Sequence, residues 1–169
     1  MKQNQTLTKS AQSVQDVLTS KGLTCQVLVL SESTRTAKDA ANTIGCDEAQ
    51  IVKSLIFKTK STEKPVLVLA SGPNRVNEQV IESHVAEKIT KAHADFTREV
   101  TGFAIGGIPP VGHQQAIDHI FIDEDLLTFD TVWAAAGTPH AVFNLQSKDL
   151  LALTAGKVIS IMKGEEDVI

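Results

Sequence analysis

Apolar positions along the chain change their spacing several times, and each change predicts an element. Val14, Val17 and Leu18 recur at helical spacing behind Ser10, a residue that caps helices, and Gly22 follows as a stop, so a helix is expected over about 10–21. Cys25 to Leu30 is a short apolar run suited to a strand, and Ser31 to Thr36 is polar and reads as a loop. From Thr36 to Ile44 the apolar positions Ala37, Ala40, Ala41 and Ile44 lie on one helical face, with a hydroxyl cap in front and Gly45 behind.

Two strand-like runs come next, Gln50 to Lys60 and Pro65 to Ser71, joined by the charged turn Ser61-Thr62-Glu63-Lys64; they predict an antiparallel hairpin. Alternation in the first run puts Ile51, Lys53, Leu55 and Phe57 on one face, so Lys53 sits among apolar neighbours. The second run is apolar on both faces, as a central strand is. Short helices are expected at Asn77–Ser83, His84–Ile89 and Ala94–Val100. Phe103-Ala104-Ile105 then leads into Gly106-Gly107-Ile108-Pro109-Pro110-Val111-Gly112-His113, a backbone that no regular element holds.

Further strands are predicted at His119–Ile122, Thr131–Ala136, Ala141–Leu145 and Lys157–Ile161. A short helix is expected at Asp123–Leu127, and another after a capping Ser147 with Leu150, Leu151 and Leu153 facing inward. Strands and helices alternate without regular βαβ units and no repeat is present, which predicts an α+β fold with a mixed sheet. The whole chain, 1–169, reads as a single domain with ends that fray at about 1–8 and 163–169.

Composition narrows the possibilities. Of the 169 residues 42% are hydrophobic and 21% charged, a balance that packs a core rather than staying disordered. Neither a leader-like apolar segment nor a run near the ~18 residues of a membrane span is seen, so a cytoplasmic protein without membrane contact is expected. Cys25 and Cys46 read as buried thiols rather than a disulfide. The net charge of −4 excludes a broadly basic nucleic-acid binder, so any RNA contact must be local. Six Phe, one Trp and no Tyr offer no stacking platform for single strands.

No P-loop, dinucleotide fingerprint, nucleophile elbow or H-E-x-x-H motif occurs, and no cofactor is implied. Three features remain. Burying the Lys53 ammonium costs several kcal/mol (~3 or more) unless it meets an anion, a ligand or solvent, although a strand lysine can also snorkel. Gly106, Gly107 and Gly112 permit positive φ and leave N–H groups free to bind an oxygen that gains charge, or else simply form a connecting loop. His140 follows a second glycine turn at Gly137 and titrates near neutrality. His113 and His119 with Asp118 and Asp123 match no standard zinc spacing, so no metal is expected, while His84 and His93 read as surface residues.

Taken together these blocks resemble the YbaK and prolyl-tRNA synthetase editing-domain family, the INS superfamily of trans-editing deacylases. The resemblance runs over nearly the whole chain. It rests on Thr34-Arg35-Thr36-Ala37 with Ala40-Ala41, on Gln50-Ile51-Val52-Lys53-Ser54-Leu55, and on Asn74-Arg75-Val76-Asn77. The most specific segment is Thr101-Gly102-Phe103-Ala104-Ile105-Gly106-Gly107-Ile108-Pro109-Pro110-Val111-Gly112-His113, followed by Ala136-Gly137-Thr138-Pro139-His140.

What the resemblance implies is a free-standing aminoacyl-tRNA deacylase with a mostly antiparallel, barrel-like sheet surrounded by short helices. Its substrate is the ester joining a wrong amino acid to the terminal adenosine of a tRNA. The family's essential lysine maps onto Lys53, with Gly106 and Gly107 as oxyanion donors. Thr34, Arg35, Thr36, Ile108, Pro109, Pro110, Gly112, His113, Gly137, Thr138 and His140 are expected to bind substrate. Relatives act on alanyl-, cysteinyl-, seryl- or threonyl-tRNA, and the Gly-Gly-Ile-Pro-Pro-Val-Gly and Thr-Arg-Thr-Ala blocks look closer to the seryl/threonyl and alanyl editors. A synthetase or an elongation factor is a partner the family suggests, and the protein is expected to be a monomer.

Two rival readings remain open: a non-catalytic module that binds tRNA or an aminoacyl ligand for a synthetase, and an unrelated hydrolase that uses a Schiff-base lysine. An enzyme that reads the acceptor end needs only a few basic groups near its pocket, and Lys53, Lys58, Lys60 and Arg75 lie in or beside the expected strands.

Overall fold

Thr8, not Ser10, caps the first helix. In the computed structural model, which describes residues 6–162, Thr8 is extended and its hydroxyl accepts from the Ala11 amide at 3.1 Å, so α1 runs Lys9–Ser20. Ala11, Val14 and Leu18 turn inward, and Gly22 at φ 82° follows the end. The first strand is shorter than its apolar run: β1 is only Leu28–Val29. The Gln15 side chain explains this, donating to Cys25 O and accepting from Val27 N at 2.8 Å, which spends those peptide groups before a ladder can form. Cys25 and Cys46 are free thiols, half-buried rather than buried, and burial raises both pKa values.

Helix α2 (Ala37–Ile44) is capped by Thr36 and closed by Gly45 at φ 88°, as its sequence predicts. The hairpin also forms as expected: β2 (Ile51–Thr59) and β3 (Pro65–Ser71) pair antiparallel from Val52 opposite Ser71 to Lys58 opposite Pro65. Every residue of β3 after Pro65 is buried, because this strand is central and its two faces serve different cores. Leu67 and Leu69 pack with Leu18, Phe103, Ile108 and Phe143 on one side. Val66 and Val68 pack with Phe57, Ile81, Phe121 and Ile161 on the other.

The remaining elements are α3 (Glu78–Val85), β4 (Ile89–Lys91), α4 (Ala94–Thr101), β5 (His119–Asp123), β6 (Thr131–Ala135), β7 (Ala141–Gln146), α5 (Ser147–Thr154) and β8 (Lys157–Ile159). The sheet order is β1-β7-β6-β2-β3-β5-β8, with β4 on the free edge of β2. Four pairings are antiparallel and three, β2 with β6, β3 with β5 and β5 with β8, are parallel. The fold is the expected α+β arrangement of a mixed sheet with short helices. Among the described residues no helix is long and apolar enough to cross a membrane.

Some local expectations change. No helix spans 84–89: α3 runs on to Val85, Ala86 at φ 65° ends it, and the Glu82 carboxylate accepts from Ile89 N as the chain enters β4. Ser147 is the first residue of α5 rather than its cap, and its hydroxyl donates to Phe129 O instead. Leu150 is buried but Leu151 points outward, because consecutive helical residues cannot share one face. The segment after β5 is a 3-10 helix over Glu124–Thr128. The expected fraying ends fall mostly outside the described residues, and within them Leu7 packs against the core.

Candidate active site

The β2 edge opposite β3 is shared by two short partners. β6 pairs only with Ile51 and Val52, and β4 only with Phe57, Lys58 and Thr59. Between them Lys53, Ser54 and Leu55 border an opening with a cavity on each side, about 400 Å³ and about 520 Å³, and these three residues line both.

Lys53 is half-buried, and its ammonium donates to the Asn74 backbone carbonyl at 2.8 Å. Asn74 is held in turn by its amide group, which donates to Asp123 Oδ2 and Asp125 Oδ2, each at 2.8 Å. Asp123, at 1% exposure, also accepts from Ser71 N and Asp125 N, so its carboxylate is fixed by three donors. The lysine is therefore neither snorkelling freely nor ion-paired. It is positioned by a rigid polar chain that begins at a buried aspartate. Burial lowers its pKa from the ordinary 10.5; nearby Glu48 and Asp123 oppose the shift, and Arg75 and Lys91 add to it.

The smaller cavity is walled on one side by Ala37, Ala40 and Ile44 of α2 and by Trp133 of β6, and on the other by Gly106 and Ile108. Thr34, Arg35 and Thr36 also line it, and Thr34 is pinned by donating its hydroxyl to Pro139 O at 2.7 Å. The larger cavity is lined by Arg75 and Lys91 together with Lys53, Asn74 and Glu78, and the smaller also carries Arg35 and Lys38. Among the described residues Arg35, Arg75 and Lys91 make no ion pair, so their charge is available to an anion.

The glycine loop and the later glycine turn are locked together. Gly107 N donates to Ala104 O at 3.0 Å, and Gly107 O accepts from Gly137 N at 2.9 Å. A Cβ on Gly107 would lie 2.8–2.9 Å from backbone atoms of Thr138, and one on Gly137 would lie 2.8 Å from Ser10 O. These glycines are demanded by backbone contact. Gly106, at φ 101°, lies under the Arg35 side chain, and among the described residues its N–H meets no acceptor. Gly106 is thus open to a ligand oxygen, whereas the Gly107 N–H is already taken.

Of the residues singled out from the sequence, Lys53, Thr34, Arg35, Thr36, Gly106 and Ile108 come together around the smaller cavity. Pro109 and Pro110 are buried, and Gly112 lies beside Val17 of α1. His113 Nε2 lies 2.8 Å from Pro109 O, and burial lowers its pKa below 6.5. Gly137 and Thr138 support the loop from behind, and His140 is exposed, with its carbonyl accepting from Leu30 N. None of these borders either cavity. Lys58 packs over the Phe96 ring and pairs with Glu63 at 4.0 Å, so Lys91 and Arg35 stand where Lys58 and Lys60 were expected.

Sequence reasoning gave no role to Asn74, Asp123, Ser54 or Trp133. Asn74 lay inside the Asn74-Arg75-Val76-Asn77 block, just past β3, and an Asp at the end of a core strand such as Asp123 is only a weak signal for a buried polar partner. Trp133, on a strand of otherwise small residues, offered none.

Comparison with known proteins shows the family of the chain. The model of the aminoacyl-tRNA editing domain matches residues 31–153. An uncharacterized protein of Bacillus subtilis, YwhH, is 29% identical over 75% of this chain and 79% of its own. The proline–tRNA ligase of Lactobacillus acidophilus is 32% identical over 68% of this chain but only 20% of its own length. A crystal structure of a candidate trans-editing enzyme for prolyl tRNA synthetase superposes with a TM-score of 0.88 at 43% identity, covering 94% of this chain and all of that one. The chain belongs to the aminoacyl-tRNA editing domain family, alongside the editing domains of prolyl-tRNA synthetases.

Proposed function

We propose that this protein hydrolyses, in trans, the ester between a small amino acid such as serine, threonine, alanine or cysteine and the terminal adenosine of a mischarged tRNA. The observation that carries this reading is Lys53, held by Asn74 where two cavities meet. The smaller cavity suits an aminoacyl group. The larger, with Arg75 and Lys91, suits the terminal nucleotide and its phosphate.

In this scheme Lys53 holds the substrate's terminal phosphate or its carbonyl oxygen, and the unspent Gly106 N–H donates to the oxyanion as water adds to the ester carbon. An aminoacyl ester is already activated, so fixed donors and orientation suffice without a nucleophilic side chain. Selection among small side chains rests on the apolar lining that Val52, Ile108 and Ala134 give the smaller cavity, where one methylene is worth ~1–3 kcal/mol.

The test is hydrolysis of tRNAs mischarged with Ala, Ser, Thr or Cys by wild type and Lys53→Ala. Release that depends on Lys53 and differs among the four supports the reading. Binding of tRNA with no release from any of them overturns it in favour of a binding module.

A further inference from the structure

One peptide group of β2 has no strand opposite it, and it faces the cleft. Ala92 N donates to Ile56 O at 3.1 Å and Lys60 N donates to Lys88 O at 2.8 Å, so the even-numbered residues of β2 turn their N–H and C=O toward the β4 edge. On that edge β6 engages Val52 and Ala92 engages Ile56. Ser54 lies between them and belongs to neither pairing. Its side chain adds to the argument. Ser54 is partly exposed as a residue, yet its hydroxyl oxygen is sealed from solvent and has no hydrogen-bond partner. The surface that Ser54 offers the cavity is therefore its peptide group and Cβ.

We infer that the Ser54 peptide group is the docking point for the aminoacyl part of the substrate, its C=O accepting from the α-ammonium and its N–H donating to the ester carbonyl. This rests on the deacylase reading and names the contact that would recognise the substrate as an α-amino acid. An aminoacyl ester has the donor and acceptor of a single strand residue, an N–H group and a C=O group on one Cα. A directly opposed antiparallel pair exchanges both bonds, so one amino acid can complete the missing rung of the sheet. The amino acid's side chain then lies on the Val52–Ser54–Ile56 face, beside Ile108 and Ala134. The Ser54 N–H also supplies a second donor to the carbonyl oxygen, complementing Gly106, where Gly107 has none to give.

The experiment compares alanyl-tRNA with propionyl-tRNA, which lacks only the α-amino group, each rate divided by its own uncatalysed rate. It adds a protein in which Ser54 is replaced by its α-hydroxy acid, so that an ester oxygen stands in place of the N–H. The expected results are a rate enhancement for propionyl-tRNA at least ~10-fold smaller, and a ~10-fold lower kcat/KM for the backbone-ester protein with unchanged circular dichroism. Equal enhancement of both substrates or wild-type activity of the backbone ester overturns the inference while leaving the deacylase reading standing. Failure of wild type to hydrolyse alanyl-, seryl-, threonyl- or cysteinyl-tRNA strikes the deacylase reading itself.

Discussion

Gly137 donates its amide to the carbonyl of Gly107 at 2.9 Å, fastening the two glycine turns to each other across a gap of thirty residues in sequence. The pair has no room for a side chain, since a Cβ on Gly107 meets three backbone atoms of Thr138 at 2.8–2.9 Å. Gly107→Ala should therefore lose ~1–3 kcal/mol of stability, as overpacking does, and misplace Gly106. Urea unfolding together with deacylation kinetics checks this; wild-type stability would show that the turns are free to separate.

Lys53 titrates in a useful direction. Its folded pKa is depressed below 10.5, so the native state binds fewer protons than the unfolded chain around that pH. The charged lysine then costs stability below its folded pKa, and the cost is relieved as pH rises through that value toward 10.5. Lys53→Met should be more stable than wild type at neutral pH, with the gain shrinking at high pH. Background-corrected deacylation should fall on its alkaline limb at a midpoint below 10.5. Chemical denaturation of both proteins at pH 7 and 10 measures the first, and a pH–rate profile the second.

His113 gives the acid counterpart. Burial depresses its pKa below 6.5, so the unfolded chain binds the extra proton first and stability falls as pH drops below 6.5, down to the folded value. His113→Gln should flatten that loss between pH 7 and 5, measured by the shift in urea midpoint. An unchanged slope would mean that the imidazole meets solvent.

Asn74 couples a buried carboxylate to the lysine. Asn74→Ala removes both hydrogen bonds to Asp123 and Asp125 and leaves the buried carboxylate short of a donor, at a cost of ~1–3 kcal/mol. Because Lys53 is bonded to the Asn74 backbone, deacylation should drop ~10-fold or more as that carbonyl shifts. Parallel measurement of Tm and kcat separates the two effects; a stable variant with full activity would remove Asn74 from the positioning chain.

The acidic net charge calls for a small tRNA footprint. If Arg35, Arg75 and Lys91 make the phosphate contacts, log affinity should fall with log salt at a slope near −2, about 0.7 per contact on a single-stranded end. Arg75→Ala should make that slope shallower by ~0.7, whereas Lys58→Ala should leave it unchanged because Lys58 is held by Phe96 and Glu63. Filter binding across a salt series reads both.

Much of the fold was legible because it is set by local periodicity. The β2–β3 hairpin follows from two apolar runs and a charged turn, and α2 from Thr36, three alanines and Gly45. Lys53 stood out for the same reason, as a charge on an apolar face. The misreadings occurred where a distant group intervened: Gln15 shortens β1, and Phe129 claims the hydroxyl of Ser147. The resemblance brought out the glycine-proline loop, but it could not separate Gly106, whose N–H is open, from Gly107, whose N–H is spent on Ala104.

Spacing and the placement of a lone lysine are properties of nearby positions, and the sequence by itself determined them: the α+β class, the hairpin, both ends of α2 and the lysine on an apolar strand face. Only the tertiary structure decided what surrounds that residue. The Asp123–Asn74 chain joins positions about fifty residues apart, and the gap at Ser54 exists because β4 and β6 reach the same edge of β2 from opposite ends without meeting. Such features depend on which peptide groups the rest of the sheet leaves unpaired, and strand pairing is a non-local choice that no single segment records.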